Sequence, residues 1–537
     1  MPGPTLVNGR WRNIAALTAC LLLAPPLAAA ALTKIGGYDS GLGAGAAEIV
    51  AYCPVTQRLA VLNAEANCVD LVQLAADGTT ERLQRIECRA YGRGVTSLAM
   101  LRQDAAPCLV AVAVEGPDRL AAGSAQLFDQ SGRHLTGYPV GIGPDMIAAS
   151  ADGRWLLVAN EGQPSRDYRI DPEGSITAID CAAGPAAGRV HQLDFRAWNG
   201  QEAALRAAGI RIFGGRDVDG DGLVDEPSGV AEDLEPEYIA IDAAGKRAWV
   251  TLQENNAIAI LSLDPPRVVD LVGLGGKDLT TAAYDFSDRD GGSILRCLAT
   301  DLTFTGPVIG LQQPDGIACF RHGEEDLLLI ANEGDARDYP GFSEEVRVAD
   351  LTLDPLVFQD ADRWQKKDRL GRLVVSRATG DVNGDGKHDR LEAFGGRSFA
   401  VLDSAGTILF DSGNAITRLV WPYGAEPLNA DTDKGDTLDS RSDAKGAEPE
   451  SVVAGLVHGH PYAFVGLERA NAIAVFDLSD PRQPRPLPLH PTSDGQGGGD
   501  LSPEGLCFVP AEDSPTGDAL LLVACERSGT VAIIAVR

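Results

Sequence analysis

A repeated unit constrains the fold of this chain more than any other feature of its sequence. A typical unit has an acidic residue, commonly after Pro, at the start of an apolar strand. A second apolar strand then ends in Glu, and a small-residue turn leads to a third. The leading acid occurs in six units, at Glu48, Asp145, Glu237, Asp315, Glu450 and Glu504. The closing Glu occurs in all seven, at Glu65, Glu115, Glu161, Glu254, Glu333, Glu468 and Glu526. A unit of this size cannot bury its own apolar strands, so the units must stack or close into a ring.

Turns such as Ala151-Asp152-Gly153 between the strands favour the blades of a β-propeller. We therefore predict an all-β fold, a seven-bladed propeller of YVTN-like repeats that forms one domain over residues 31–537. Long insertions at about 200–232, 272–312 and 340–445 are expected to lie on one face. The last unit ends at Arg537 after three strands, so we predict that the unassigned apolar residues 32–35 supply its outer strand and remove two sheet edges.

Residues 1–30 are expected to be a signal peptide. Arg10 and Arg12 precede an apolar run from 14 to 23, and small residues then continue to Ala31. A lipoprotein box ending at Cys20 is the minor alternative, because the apolar segment continues past that cysteine. The protein is expected to be secreted or periplasmic, with no transmembrane segment in the mature chain.

Nine cysteines would remain after cleavage near Ala30. An oxidising compartment permits disulfides, and Cys507 with Cys525, or Cys297 with Cys319, are close enough in sequence to bridge neighbouring strands. Buried apolar thiols are the alternative for the same residues.

The formal net charge of −30 argues against nucleic acid and anionic membrane surfaces as partners. Cations are the natural partners of such a chain, and two segments predict where calcium binds. Residues 381–392 carry oxygen ligands at loop positions one, three, five, nine and twelve, with glycine at six, which is the calcium-loop pattern of EF-hands. Residues 217–225 repeat the first nine positions, but Ser228 stands at position twelve. The predicted metal ligands are Asp381, Asn383, Asp385, Lys387, Asp389 and Glu392 in one loop, and Asp217, Asp219, Asp221, Leu223 and Asp225 in the other.

The repeated acids are expected to meet at one mouth of the central channel. In a propeller blade, the loop before the innermost strand and the loop after the second strand emerge on the same face. Thirteen carboxylates there would repel one another unless cations, basic side chains, backbone donors or raised pKa values offset the charge. The alternative is that a recurring polar residue at this position only satisfies backbone groups at the strand ends.

An Arg-Asp-Tyr sequence follows two of the closing Glu residues, at Arg166 and at Arg337. Internal ion pairing is one reading of these arginines. With bound calcium, they could instead help to hold an anionic group such as phosphate, sulfate or carbonate. The candidate ligand-binding residues are Glu161, Arg166, Asp167, Glu333, Arg337, Asp338, Arg441, Lys445, Glu237, Glu254, Asp315, Glu450, Glu468, Glu504 and Glu526.

Covalent catalysis finds little support, because the chain has no Gly-x-Ser-x-Gly elbow and no phosphate-binding P-loop. An enzyme here would have to be metal-assisted. Catalytic residues are not identified by the sequence.

Residues 332–339, which read Asn-Glu-Gly-Asp-Ala-Arg-Asp-Tyr, and residues 442–450, which contain Gly446-Ala447-Glu448-Pro449-Glu450, resemble the bacterial choice-of-anchor I family. That family is similar to animal mesenchyme-specific cell-surface glycoproteins of biomineralising cells. The resemblance covers essentially the whole mature chain. It implies an exported, propeller-like protein, with calcium or mineral association in the animal relatives.

The sequence thus predicts a secreted, calcium-binding propeller that binds a ligand, mineral or surface polymer of the cell envelope or extracellular space. A calcium-dependent phosphoesterase, with Arg166, Arg337 or Arg441 holding the ester, is the first alternative. An extracellular scaffold for protein contacts is the second.

Overall fold

The computed structural model describes residues 30–103, 106–218, 224–292, 294–421, 438–495 and 498–537. The secondary structure of these residues is almost all strand. Four short α-helices span Glu202–Ala207, Val230–Asp233, Ala361–Trp364 and Ala415–Val420. The predicted all-β class is therefore confirmed. The predicted signal peptide, up to residue 29, and Cys20 lie outside the described residues.

Seven antiparallel sheets, numbered here in chain order, follow one another in the part of the chain that the structure describes. Sheet 1 contains Val50–Cys53, Arg58–Asn63, Cys68–Leu74 and Thr80–Glu87. Sheet 2 contains Val95–Gln103, Ala106–Val114, Ala122–Phe128 and His134–Ile142. Sheet 3 contains Pro144–Ala149, Trp155–Asn160, Ser175–Asp180 and Arg189–Asp194. Sheet 4 contains Ile239–Ile241, Arg247–Leu252, Ala257–Leu263 and Pro266–Gly273.

Sheet 5 contains Ile317–His322, Glu325–Asn332, Ser398–Asp403 and Ile408–Asp411. Sheet 6 contains Pro449–Val457, His460–Leu467 and Ala472–Asp477, and its outer position is shared by Arg485–Pro486 and His490–Pro491. Sheet 7 contains Pro503–Val509, Ala519–Cys525, Thr530–Val536 and, from the other end of the chain, Leu32–Asp39.

The seven sheets form a closed ring. The first strand of each sheet contacts the first strand of the next, and that of sheet 7 contacts that of sheet 1. Leu32–Asp39 pairs with Thr530–Val536 as the outermost strand of sheet 7, so the predicted closing strand is confirmed. Radial sheets around a ring of first strands are the architecture of a β-propeller.

Apolar strands in the middle of each sheet explain why the ring is stable. Trp155–Asn160 and Ala519–Cys525 are buried on both faces, whereas the outer strand Thr80–Glu87 is mostly exposed. Seven apolar clusters each fill the space between two neighbouring sheets. No sheet could bury these side chains alone, so the repeats depend on one another.

The inserted segments build a further five-stranded sheet, here called the insertion sheet. Its strands in order are Gly276–Asp278, Val308–Leu311, Leu391–Ala393, Val374–Ser376 and Glu345–Arg347, and the second and third are parallel. An eighth apolar cluster, which includes Phe286, Phe358 and Trp364, lies under it. Two-stranded ladders join Gly215–Arg216 to Glu226–Pro227, Ala283–Tyr284 to Arg296–Cys297, and Asp338–Tyr339 to Phe342–Ser343.

All nine described cysteines are free thiols. The suggested bridge between Cys507 and Cys525 is wrong, because the strand register places Cys507 opposite Leu522 and Cys525 opposite Pro503. Cys297 and Cys319 lie in different sheets and are not bridged either. The described part of the chain has no helix with the length and apolar character needed to cross a bilayer.

Candidate functional site

The repeated acids converge on one cavity of about 350 Å³. It is lined by ten carboxylates, with Gln253 and Arg469, and we call it the acidic cavity. The carboxylates belong to Asp145, Glu161, Glu237, Asp315, Glu333, Asp335, Glu450, Glu468, Glu504 and Glu526. Five of the six leading acids and four of the seven closing Glu residues are therefore in this set. Glu48, Glu65, Glu115 and Glu254 are not among its lining residues.

The strand register explains this convergence. Pro144 pairs with Asn160 in sheet 3, so the leading Asp145 and the closing Glu161 emerge at the same end of the sheet. Pro449 with Leu467, and Pro503 with Cys525, repeat this arrangement in sheets 6 and 7. Since the first strands line the ring, these ends meet at one mouth.

A β-bulge follows the proline in the same three sheets, directly at the leading acid. The residue before the proline has a positive φ of 59° at Gly143, 51° at Glu448 and 57° at Ser502. Bulges change the direction of side chains at sheet rims, and left-handed backbone at a non-glycine residue costs about 1–3 kcal/mol. The chain therefore holds a strained backbone at the edge of the acidic cavity.

Burial and mutual repulsion raise the pKa values of several of these acids. Burial, then the neighbouring Glu115 carboxylate, raises the pKa of Asp145 to about 6. Burial also raises the pKa of Glu468 to about 8, and nearby Glu448 and Glu333 act in the same direction. The pKa values of five further lining residues lie well above the ordinary range for the same two reasons: Glu161, Glu237, Asp315, Glu450 and Glu504. Desolvation disfavours the charged form, so burial in this cavity favours protonation of these carboxylates.

Protein partners satisfy only part of the site. Lys445 Nζ lies 2.6 Å from Glu333 Oε1, and Arg469 Nη1 lies 3.2 Å from Glu468 Oε1. Glu237 is only 7% exposed, yet its Oε2 has no hydrogen-bond partner. Glu450 and Glu504 each have one buried carboxylate oxygen that also has no hydrogen-bond partner. An unpaired buried carboxylate oxygen is costly, so these groups favour an additional positively charged partner.

Three of the acids are close enough to share one ion. Carboxylate oxygens of Glu333, Glu450 and Glu468 all lie within 4.8 Å of one another. Within the described ranges this is the one group of three His, Cys, Asp or Glu residues that meets this distance. Sheets 5 and 6 supply the three side chains, so the group depends on the packing of two neighbouring repeats.

A second cavity of about 300 Å³ adjoins the first, and we call it the basic cavity. Asp335 lines both, and Lys445 lines the basic cavity while bonding Glu333 in the acidic one. The other charged lining residues are Arg347, Arg372, Arg441, Glu345 and Asp443. The insertion sheet forms one wall, through Glu345–Arg347 and Val374–Ser376. Cationic and anionic surfaces therefore lie side by side.

The guanidinium groups of the basic cavity also make internal ion pairs. Asp443 Oδ2 lies 2.6 Å from Arg347 Nη1 and 2.9 Å from Arg372 Nη2. Arg441 Nε donates to Glu448 Oε1 at 2.7 Å. The arginines are thus positioned by carboxylates, an arrangement that fixes a planar donor for an incoming anion.

The two Arg-Asp-Tyr sequences pack against each other. The Tyr168 and Tyr339 ring centroids are 5.5 Å apart. Arg337 is buried and pairs with Asp233 and Glu235, whereas Arg166 and Asp167 are exposed. Neither arginine is among the lining residues of the two cavities, and Asp338 is also exposed away from them.

Residues 381–392 form a compact loop that ends in the insertion sheet. Asp381 Oδ1 accepts from the Gly384 amide at 2.8 Å, and its Oδ2 accepts from the Gly386 amide at 2.8 Å. These backbone hydrogen bonds lower the pKa of Asp381. Glu392 is buried in the strand Leu391–Ala393, where Thr379 and Arg390 contact its carboxylate. For Glu392 to close a calcium shell, one of those contacts would have to be exchanged for the ion.

The second predicted loop shares one hydrogen bond with the first. The Val218 amide donates to Asp225 Oδ2 at 2.8 Å, as the Val382 amide does to Asp389 Oδ2 at 2.9 Å. Asp219, Asp221 and Leu223 lie outside the described residues.

Several residues near the site were not among the sequence candidates. Asp335, Gln253 and Arg469 line the acidic cavity but are not among the repeated acids, and Asp145 was noted only as part of the repeat. Asparagines, rather than the acids, satisfy backbone groups between sheets: Asn256 Oδ1 accepts from the Gln313 amide at 2.9 Å. Asn471 does the same for Ser502 at 2.8 Å. Their position just after the second strand is a signal that the sequence contained.

A family model described as the choice-of-anchor I domain matches residues 48–481. Gigasin-3a from Magallana gigas is 32% identical over 189 residues, which cover 31% of this chain and 65% of that protein. The mesenchyme-specific cell surface glycoprotein of Strongylocentrotus purpuratus is 25% identical over 287 residues, covering 47% of this chain and 36% of that protein. The matches thus span just under two thirds of the first relative's length and about a third of the second's.

Matches among solved structures include Kuenenia stuttgartiensis hydrazine synthase, at 12% identity and a TM-score of 0.44 over 93% of this chain and 99% of that one. The β-propeller domain of Myceliophteria thermophila Cps50 (Swd1) matches at 8% identity and a TM-score of 0.45, over 94% of this chain and 100% of that one.

Proposed function

Because the chain belongs to the choice-of-anchor I family, we propose that it is an extracellular, surface-associated propeller of seven blades that binds calcium in its acidic cavity. Through the bound calcium it would hold an anionic ligand, mineral or surface polymer. The observation that carries the proposal is the buried, partly unpaired set of carboxylates at the mouth of the ring, with Glu237 as its clearest member.

Calcium suits this site for chemical reasons. It takes six to eight oxygen ligands in flexible geometry, and carboxylates are its usual protein ligands. Glu333, Glu450 and Glu468 would form the first group of ligands, since their oxygens already lie within 4.8 Å of one another. A divalent cation would replace the protons that burial favours, and it would supply the partner that Glu450 Oε2 lacks.

The basic cavity supports an anionic ligand class. A carboxylate, phosphate, sulfate or carbonate group beside bound calcium would face Lys445 and Arg441 across the shared rim. Bidentate arginine contacts to such groups are short and charge-assisted. The ligand would then bridge the cation and the guanidinium groups.

The loop of residues 381–392 is proposed as a separate calcium clamp. Asp385 is exposed, backbone amides already order Asp381, and the following strand belongs to the insertion sheet. Calcium there would stabilise the wall of the basic cavity rather than contact the ligand.

Isothermal titration calorimetry of the purified protein with calcium tests both sites. We expect the Glu333→Gln/Glu450→Gln variant to lose the cavity site and keep the loop site. The Asp381→Asn/Asp385→Asn variant should show the reverse. Circular dichroism of each variant checks that it is folded. Equal stoichiometry for the wild type and the folded cavity variant would refute the cavity site.

Metal-assisted hydrolysis of a phosphoester is a second candidate, favoured by the contact between the two cavities at Asp335 and Lys445. Turnover of a phosphomonoester or phosphodiester that requires calcium, and that Arg441→Ala abolishes in folded protein, would support it. Calcium binding without turnover would leave a binding protein.

A further inference from the structure

Two buried cysteines from neighbouring sheets lie against each other. Cys53 ends the first strand of sheet 1, and Cys108 lies in the second strand of sheet 2. The Cys108 amide donates to Cys53 Sγ at 3.3 Å, so the thiol of one residue lies against the backbone of the other. Both residues are buried, at 0% and 1% exposure. Their separation in sequence gave no reason to pair them.

The environment of this pair differs from that of the other buried thiols. The side-chain hydrogen bond from Cys108 lowers the pKa of Cys53 to about 5, and Thr56 adds a further donor. The same hydrogen bond and burial raise the pKa of Cys108. By contrast, burial raises the pKa of Cys88 to about 12, and it also raises that of Cys68. The thiolate is the reactive form of cysteine, so the pair is chemically distinct from Cys68 and Cys88.

A cavity adjoins one member of the pair. Cys108 lines a cavity of about 250 Å³ together with Pro54, Val55 and Arg102, and Val55 is 50% exposed. Arg102 also favours a thiolate at Cys108 by its charge. A small disulfide-containing molecule that enters this cavity therefore comes next to Cys108.

We propose that Cys53 and Cys108 form a redox-active dithiol that closes to a disulfide between sheets 1 and 2 by exchange with a disulfide oxidant. One sulfur of the pair, as thiolate, attacks a sulfur of the oxidant R–S–S–R, forms a mixed disulfide and releases one thiolate RS⁻. The second protein thiol gives its proton to the solvent and attacks the first sulfur, which releases the second RS⁻. Two protein thiols are oxidised, and one external disulfide is reduced to two thiols.

The disulfide would stabilise the ring of sheets and would leave the acidic cavity unchanged. It would tie together two neighbouring sheets and close a long loop, which restricts the unfolded chain. An extracellular or periplasmic location is the setting in which such bonds form and persist. The inference is independent of calcium binding.

Peptide mapping of the full protein after equilibration with oxidised and reduced glutathione tests the proposal. Free thiols are blocked in the folded state before digestion without reductant. We expect a linked pair of peptides containing Cys53 and Cys108, lighter by two hydrogens than the sum of the free peptides. Cys68 and Cys88 should remain unlinked, as internal controls. Recovery of Cys53 and Cys108 only as unlinked thiols in the most oxidising buffer would overturn the proposal.

Thermal unfolding gives a second measurement. The oxidised protein should melt several degrees higher than the reduced protein, and Cys108→Ala should remove this difference. The wild-type comparison does not depend on the variant folding. A Tm that responds to glutathione equally in a folded Cys108→Ala variant would also contradict the assignment.

Discussion

Replacing Glu450 by Gln should stabilise the calcium-free protein and weaken calcium binding at the same time. Glu450 belongs to the three acids whose oxygens lie within 4.8 Å, and its Oε2 has no partner. Two carboxylate charges at that distance repel by ~3.5 kcal/mol if the effective dielectric constant is ~20. Glutamine keeps the size of the side chain and removes this repulsion.

Protonation limits how large the effect can be. The ordinary pKa of a Glu carboxyl group is 4.5. Keeping such a group protonated in the folded state at about pH 7.5 lowers the free energy of unfolding by about 4 kcal/mol. The gain in unfolding free energy should therefore be roughly 1–4 kcal/mol in chelator. A chain of 537 residues has an unfolding entropy near 1.1 kcal/mol per degree, so Tm should rise by roughly 1–4 °C. Calcium affinity should fall about tenfold or more, because ligand charge sets affinity at such sites.

Differential scanning calorimetry in chelator and in excess calcium, with calorimetric titration, measures both effects. Glu65→Gln is the control for the same substitution elsewhere, since Glu65 is a closing Glu of an earlier repeat that is exposed and does not line the cavity. That control should change neither quantity. A lower Tm for Glu450→Gln in chelator, together with an unchanged increase on adding calcium, would refute the reasoning.

Further predictions concern protons, buried charge and ring closure. Calcium binding should release protons and become tighter as pH rises from about 6 to 8, because the pKa values of Asp145 and Glu468 are raised to about 6 and about 8. Calorimetric titration in buffers of different ionisation enthalpy measures the proton release, and a calcium affinity that does not change with pH would count against the prediction. Arg337→Met should lower the free energy of unfolding in urea by about 3–5 kcal/mol, since it leaves Asp233 and Glu235 buried without their cation. Arg166 is exposed, so the control Arg166→Ala should change that free energy by less than about 0.5 kcal/mol. Deleting Leu32–Asp39 should expose the edge of sheet 7 and cause a large loss of Tm or aggregation; an unchanged Tm would mean that the closing strand contributes no stability.

The repeat was sufficient to predict the ring and the meeting of the acids. Periodic Pro-acid and strand-end Glu positions imply equivalent places in equivalent sheets, as the paired Pro144 and Asn160 illustrate. The closing strand was predictable because a three-stranded last unit leaves an edge that needs a partner. Both inferences need only the repeated pattern of the sequence and the general rule that an exposed sheet edge is paired or covered.

Other features of the site depend on residues outside the repeat. Lys445 reaches Glu333 from a loop more than a hundred residues away in sequence, and Asp335 joins two cavities although no repeat position predicts it. Arg337 was an attractive ligand candidate by sequence, but the structure buries it against Asp233. Sequence identifies a charge and not its partner, so it cannot separate an internal ion pair from a free guanidinium group.

The amino-acid sequence by itself determined the all-β class, the ring of repeats and the end of the ring at which most acids lie. Periodicity and spacing are sufficient for these features because each repeat forms the same strands and packs against its neighbours in the same way. The tertiary structure alone decided which three acids approach within 4.8 Å, which cations neutralise their neighbours, and that Cys53 meets Cys108. Those contacts join distant segments through the twist and packing of neighbouring sheets, and no local pattern in the chain encodes their distances.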